Sequence, residues 1–388
     1  MAFYPNRQLT HLASSISVLA ITIGLVAGQS ATQISLAQTV VNGVGASTVN
    51  PLFAGLKTLY PNITYSPVGS GAGLTAFFTQ TPPSGTPGPI SFAASDDPVA
   101  GTETVSGGRG SYVQVPVIGV GITLAYNASG LTIPAGGIKL SRASYCGILN
   151  GSITNWNNTS ISADNGGAII AILPIKVVHR TDSSGSTFVL TSHLNSACKP
   201  AATPGIPAAD VWKKGAGTTV SWPSTFIGAS GGGGVATAIA TTKGAIGYVD
   251  SATRLSKSLP AAVLRNKSGN YTAPSTSAIT EALLGGTIVK YGANPNNRLI
   301  RIDNLNDPTR PLAYPISTAT YFLFYDIYSD ASIASGIKTL ITLALGSAGD
   351  TFVTSLGYAP LPAPIKTVST GVVNTCVNTV YGTSPCTP

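Results

Sequence analysis

The chain has 388 residues, only 9% of them charged, and 21 Lys and Arg against 13 Asp and Glu leave a formal charge of +8. The basic residues are scattered, with Lys213-Lys214 as the one doublet, so no basic run or aromatic-interleaved stripe suits nucleic acid. The surplus favours anions in general, while Ser, Thr, Asn and Gly do most of the solvation.

Arg7 precedes an apolar run at residues 16–28, too short for a bilayer span of about 20 residues. Small and polar residues follow as far as Ser35-Leu36-Ala37, so residues 1–37 are expected to be a cleaved signal peptide. No Cys follows the apolar run, which argues against a lipid anchor. A mature chain of about 350 residues exceeds the usual limit of a single core, so two lobes are expected. The expected location is the periplasm or the cell exterior, where four cysteines form disulfides. Three pairings are possible, and Cys146–Cys198 with Cys376–Cys386 is favoured, the second closing a short loop. A zinc site is the weaker reading, because there is no C-x-x-C and the mature chain holds only His179 and His193. No metal and no cofactor are expected.

In chain order, the first half alternates: a strand near 39–44, a helix near 48–59, a strand near 62–68, a helix near 71–80 and a strand near 89–94. Alternation of this kind predicts βαβ units, a parallel sheet covered on both faces and the α/β class. Residues 111–127, SYVQVPVIGVGITLAYN, read as one β-rich stretch broken by Pro116 and Gly121, able to carry the chain between lobes. A helical SRASYCGILNG, a strand at 175–180 and a helix near 185–198 come next. After a Gly- and Pro-rich loop, residues 231–250 read as a helix leading into a strand. Residues 265–310 are rich in Asn and Pro and show one helical piece, ITEALLGG. A second β stretch at 311–326 is the expected return crossing. Helical segments at 331–344 and 347–356 then precede a Ser/Thr-rich tail. Two crossings divide the mature chain into residues 38–125 plus 311–388 and residues 126–310. A cleft separates these lobes, and ligands of open α/β sheets sit beyond the carboxyl ends of the strands.

One grammar occurs three times: a strand, then small Ser, Thr and Gly residues, then a helix. The copies are TVVNGVGAST at 39–48, NITYSPVGSGAGLTAFF at 62–78 and IKVVHRTDSSGSTFVL at 175–190. Each aims the free N–H groups of a helix start, with roughly half a positive charge, at whatever lies in front. Three such ends with a single Arg among them predict a small, multiply charged oxyanion. In the third copy Arg180 supplies charge-assisted donors, Asp182 holds the guanidinium, and Ser184 and Ser186 add hydroxyls. The plainer reading is a helix N-cap with a solvated ion pair. GASTVNP at 45–51 and VGSGAG at 68–73 let backbone approach a ligand, or are simple turns. Neither matches a dinucleotide fingerprint or a Walker lysine loop.

SFAASDDP at 91–98 places Asp96 just after an apolar strand. An acid facing an anion makes sense when the ligand brings a proton: hydrogen phosphate does and sulfate does not. Such a site rejects the analogue lacking the proton by roughly 10⁴–10⁵. The alternative is Asp96-Asp97-Pro98 as a turn. GASGG at 228–232 has the form of a nucleophile elbow but no suitable strand before it, so it is set aside. His179 reads as a strand residue rather than a general base, and His193 fits either face of its helix.

On these residues the chain resembles the solute-binding protein of bacterial ABC phosphate importers, and in places its DING branch. The resemblance covers nearly the whole mature chain and rests on GASTVNPLF, VGSGAG, FAASDDP, VVHRTDSSGSTFVLTSHL, GAIGYVD and YPISTATYFLFY in family order. YCGILNGSITNW and LNSACKP, which carry Cys146 and Cys198, are the DING-like pair. The resemblance implies a two-lobed type II periplasmic-binding-protein fold that closes on one dehydrated phosphate. Its ligand shell falls on Ser47, Thr48, Ser70, Asp96, Arg180, Ser184, Gly185 and Ser186, with Asp182 beside Arg180. Ser186 stands for the usual Thr. Thr48 stands where the family has an apolar residue, so only its backbone N–H carries over. The expected mature start, QTVVNG, keeps just the Asn-Gly of DING, and TATYFLFYDIYSD lacks a Cys for the second DING disulfide.

The expected function is capture of inorganic phosphate by a monomer, without catalysis, for delivery to ABC transporter membrane subunits. Two alternatives remain: a secreted phosphoesterase, which needs a nucleophile or metal that the sequence does not supply, and an adhesive surface or matrix protein.

Overall fold

The computed structural model describes residues 40–107, 111–292 and 298–378. The leader assigned to residues 1–37, and Cys386 of the expected Cys376–Cys386 pair, lie outside the described residues.

The chain begins as the pattern predicts, with β1 (Val41–Gly45), α1 (Asn50–Leu59), β2 (Ile63–Ser66), α2 (Ser70–Thr79) and β3 (Phe92–Ser95). A 3-10 turn at Ser47–Val49 leads into α1, whose first turn holds Pro51, where a missing N–H costs no helical bond. The long β4 (Tyr112–Tyr126) follows, then β5 (Lys139–Leu140), α3 (Arg142–Asn150), α4 (Thr159–Asp164), β6 (Lys176–Arg180) and α5 (Gly185–Ala197). Next are β7 (Ile227–Ala229), α6 (Gly231–Thr241), β8 (Ala245–Asp250), α7 (Ser251–Ser256), β9 (Val263–Arg265), β10 (Tyr271–Thr272) and α8 (Thr276–Leu284). The last elements are β11 (Thr287–Tyr291), β12 (Leu299–Asp303), β13 (Ser317–Tyr325), α9 (Ala331–Leu345), α10 (Ser347–Ser355) and α11 (Ala363–Cys376).

β4 organises the fold, and every residue along it is buried. From Tyr112 to Gly121 it pairs with β13, and from Ile122 to Tyr126 with β8, antiparallel in both cases. On the first side the order continues through β13, β3, β1 and β2, with β1 parallel to both β3 and β2. On the second side β6 lies parallel to β8 and β7. Parallel neighbours require crossover helices, and the alternating pattern supplies them. Each half thus directs the carboxyl ends of its parallel strands, and the helix starts that follow, toward the site described below. The pairing of β4 with β13 slips beside Pro116, a residue that has no N–H to give to a ladder.

Two regions differ from expectation. The Asn- and Pro-rich stretch holds more than ITEALLGG: β11 and β12 form an antiparallel hairpin that touches β4 at Gln114, while β5, β9 and β10 make a small separate sheet. Two- and three-residue strands are too short to show alternation. The Ser/Thr-rich tail contains α11, which buries Ile365, Ser369, Val373 and Cys376. That spacing is one helical face, hidden by the polar composition around it. The β stretch expected over 311–326 becomes a strand only at Ser317, after Pro311 and Pro315.

Cys146 in α3 and Cys198 after α5 form the expected disulfide, 52 residues apart in sequence. Closing a loop of this length should restrict the unfolded chain by about 4 kcal/mol. A Cys146→Ser/Cys198→Ser double variant should therefore unfold at clearly lower denaturant. An unchanged midpoint in urea would show that the bridge adds nothing.

Candidate functional site

The site forms where the three repeated turns meet. The backbone N–H of Gly69 donates to Gly45 O at 2.9 Å, and that of Gly71 to Ser183 O at 3.2 Å. Thus the turn before α2 touches both the turn after β1 and the turn before α5. Gly185 fits because it lacks a side chain: a Cβ there would lie 2.6 Å from Ser70 Oγ and 2.8 Å from Asp96 Cβ. Gly69 has φ 91°, and a Cβ there would sit 2.7 Å from Asp182 Oδ2. Ser47, Thr48, Ser70, Asp96, Arg180, Asp182, Ser184, Gly185 and Ser186 are accordingly brought together by segments far apart in sequence.

Asp96, 1% exposed, lies at the centre. Its Oδ1 accepts from Thr48 Oγ1 at 2.8 Å and Thr320 Oγ1 at 2.6 Å, and its Oδ2 from Ser186 Oγ at 3.3 Å. Burial raises its pKa, partly offset by these three hydroxyls and the Arg180 charge. Thr48 therefore spends its hydroxyl on Asp96, which leaves its backbone N–H as the group free to face a ligand. Thr320 was not among the expected residues. It comes from β13, whose antiparallel register sets Tyr321 opposite Ser95 and so brings Thr320 beside Asp96. A cavity of about 460 Å³ adjoins Asp96, bounded by Phe188, Thr318 and Tyr321 among others.

Arg180 closes β6 and is 5% exposed. Its Nε donates to Asp182 Oδ1 at 2.7 Å, and its Nη2 is paired with Asp182 Oδ2. Nη1 makes no hydrogen bond among the described residues. Although burial pushes the Asp182 pKa up, Arg180 and the Gly231 N–H more than offset it, and the net shift is downward. This pair is not the solvated one of the plainer reading. Ser184 does act as an N-cap, accepting from Thr187 N at 3.3 Å, and that role leaves its hydroxyl proton available.

A fourth helix start joins the three. Gly231 N donates to Asp182 Oδ1 at 2.9 Å and Gly232 N to Ser47 Oγ at 3.1 Å. The short β7 takes in the first two residues of GASGG and leads into α6. Three residues are too few to register as a strand in a Gly run. Ser230 is exposed and its side chain does not cap α6. No hydrogen bond joins it to a histidine among the described residues. His179 is bonded through Nδ1 to Arg180 O at 2.9 Å. His193 is buried against Tyr145, and burial lowers its pKa to about 4. Around the site, burial and the Asp96 charge hold Asp97 up at about 7, and burial holds Asp250 at about 6.

With Asp182 cancelling the charge of Arg180, the site's formal charge is negative when Asp96 is ionised. Attraction for an anion must then come from N–H dipoles, hydroxyls and the open face of the guanidinium. That combination suits a ligand which also brings a proton for Asp96.

A family model described as a PBP superfamily domain matches residues 30–347. Phosphate-binding protein PstS 2 of Mycobacterium tuberculosis is 30% identical over 317 residues, 80% of this chain and 78% of that protein. Alkaline phosphatase L of Pseudomonas aeruginosa is 28% identical over 358 residues, 88% of this chain and 91% of that one. Among solved structures, the high affinity periplasmic phosphate-binding protein PfluDING, bound with phosphate, matches with a TM-score of 0.65. The match is 23% identical and covers 85% of this chain and 92% of that one.

Proposed function

Because the chain belongs to the PBP superfamily, and within it to the PstS phosphate-binding proteins, we propose that it captures inorganic phosphate outside the cell membrane for an ABC uptake system. The observation that carries this reading is Asp96: a buried carboxylate set among four helix starts and a guanidinium. In this reading Ser70 and Ser184 supply hydroxyls, and Ser47, Thr48, Gly185 and Ser186 supply backbone N–H groups, the Ser186 hydroxyl being given to Asp96. Arg180 supplies the fork, and Asp96 accepts the proton of hydrogen phosphate. A fully ionised sulfate would set acceptor against acceptor, and in a buried site neither is rescued by water.

The lobes proposed are residues 38–125 plus 311–388 and residues 126–310. The β11–β12 hairpin leans from the second onto β4 of the first, so it is a candidate for the moving boundary. The protein is proposed to act as a monomer, without nucleic acid, and without catalysis.

The relative named alkaline phosphatase favours a phosphoesterase as the second reading. That reading needs an activated nucleophile, and Ser230 is exposed with no histidine bonded to it among the described residues. Thermal unfolding with and without phosphate tests the first reading. At a hundredfold excess over the dissociation constant, phosphate should stabilise the protein by about 2.7 kcal/mol. No shift with phosphate, or turnover of a chromogenic phosphate ester that Arg180→Ala abolishes, would count against capture alone.

A further inference from the structure

Asp250 ends β8 and is 1% exposed. Its Oδ1 caps α7 by accepting from Thr253 N at 2.8 Å. Its Oδ2 is buried and makes no hydrogen bond among the described residues. A buried acceptor without a donor is a cost that folding seldom leaves standing without a use. The oxygen also lies at the edge of the site. A Cβ on Gly232 would be 3.5 Å from Asp250 Oδ2 and 3.3 Å from Ser47 Oγ, so both oxygens lie beside Gly232. Ser47 Oγ already accepts from Gly232 N, and its own proton must therefore be given away, to a ligand oxygen or toward an acid.

We infer that Asp250 and bound phosphate together hold one proton more than the free phosphate dianion brings, with Asp250 as the group that makes room for it. The inference rests on the phosphate reading above and deepens it, since it names the protonation state that the closed site accepts.

The charge balance points the same way. Burial and Asp96 at the end of β3 push Asp250 up, the Thr253 N–H and hydroxyl and Arg180 of β6 oppose them, and Arg254 of its own helix and Tyr358 beyond α10 also face it. Arg180 is already paired with Asp182, so a dianion entering beside Asp96 and Asp250 adds negative charge to a place short of positive charge. Burial, aided by Asp96, already holds Asp250 at about 6. Further negative charge raises an acid still more. Between the free and the liganded value, binding must draw a proton from solvent. A protonated Oδ2 becomes a donor, which removes the unpaired acceptor.

The test is calorimetric titration of phosphate-free protein with inorganic phosphate at about pH 8, in two buffers of different protonation enthalpy. The wild type should take up about one proton per phosphate bound. Asp250→Asn, which can still cap α7, should bind with uptake near zero. Asp97→Asn should keep the full uptake, although Asp97 is held at about 7. Tight binding by the wild type with no proton uptake would overturn the inference and leave the phosphate reading intact. So would unchanged uptake in Asp250→Asn, or its loss in Asp97→Asn. Absence of any phosphate heat would refute the phosphate reading itself.

Discussion

Arg180→Ala is expected to weaken phosphate binding by about 2–5 kcal/mol, or roughly thirtyfold to a few thousandfold. The loss has two sources. The ligand loses the open side of a guanidinium whose orientation Asp182 fixes through Nε and Nη2. Asp182 is then left partly buried with the Gly231 N–H as its remaining strong donor, a charge with too few partners. Stability should fall along with affinity. Arg180→Lys should recover little, because an ammonium cannot engage Asp182 with two donors and still present another to the ligand. Affinity for sulfate should drop in parallel, since this residue offers charge and makes no distinction between protonated and bare oxyanions. Titration calorimetry with both ions reads the effect. An alanine variant with wild-type affinity would remove Arg180 from the site.

Asp96→Asn should act differently, on the choice between ions. In the wild type its two oxygens collect the hydroxyls of Thr48, Thr320 and Ser186, so the carboxylate is held in place as an acceptor. A ligand proton completes that arrangement, and a ligand without one meets a bare oxygen. Rejection by such unpaired polar groups can reach roughly 10⁴–10⁵. An amide can turn its NH₂ toward a proton-free oxygen, so the variant should gain sulfate affinity, lose phosphate affinity and shrink the ratio by several orders of magnitude. A pH effect follows with a definite sign. Burial raises the Asp96 pKa in the folded state above 3.8, so the folded protein binds that proton more tightly than the unfolded chain does. Stability of ligand-free protein should then fall as pH rises from about 4, and less steeply in Asp96→Asn. Denaturant midpoints across that range would show it.

How far the sequence could be read depended on how local each signal was. The strand–turn–helix repeats are contiguous, so β1, β2, β6 and the helices after them could be placed from that grammar, and the turns between them marked the site. A long β-rich stretch, in spite of Pro116 and Gly121, likewise announced the fifteen-residue β4. What escaped was non-local or disguised. Thr320 reaches Asp96 only because β13 pairs antiparallel with β3 in one particular register, and nothing within TATYFLFY encodes that partner. Gly231 and Gly232 lie in a glycine run that looks like a loop, yet tertiary contacts make it the start of α6. α11 carries its apolar face at Ile365, Val373 and Cys376, with Ser369 among them. A polar residue at a buried helical position breaks the pattern, and its hydroxyl is satisfied by Pro116 O at 2.8 Å. Asp250 read as the end of a strand. Its unpaired oxygen is a property of packing, invisible until α6 and α7 are in place.

In the proposed function a carboxylate inspects the proton on the ligand. Parallel titration of phosphate-stripped wild-type protein with phosphate and with sulfate tests it most directly. Single-site phosphate binding, with sulfate weaker by roughly four orders of magnitude or more, is the predicted result. Comparable affinities for the two ions would contradict it.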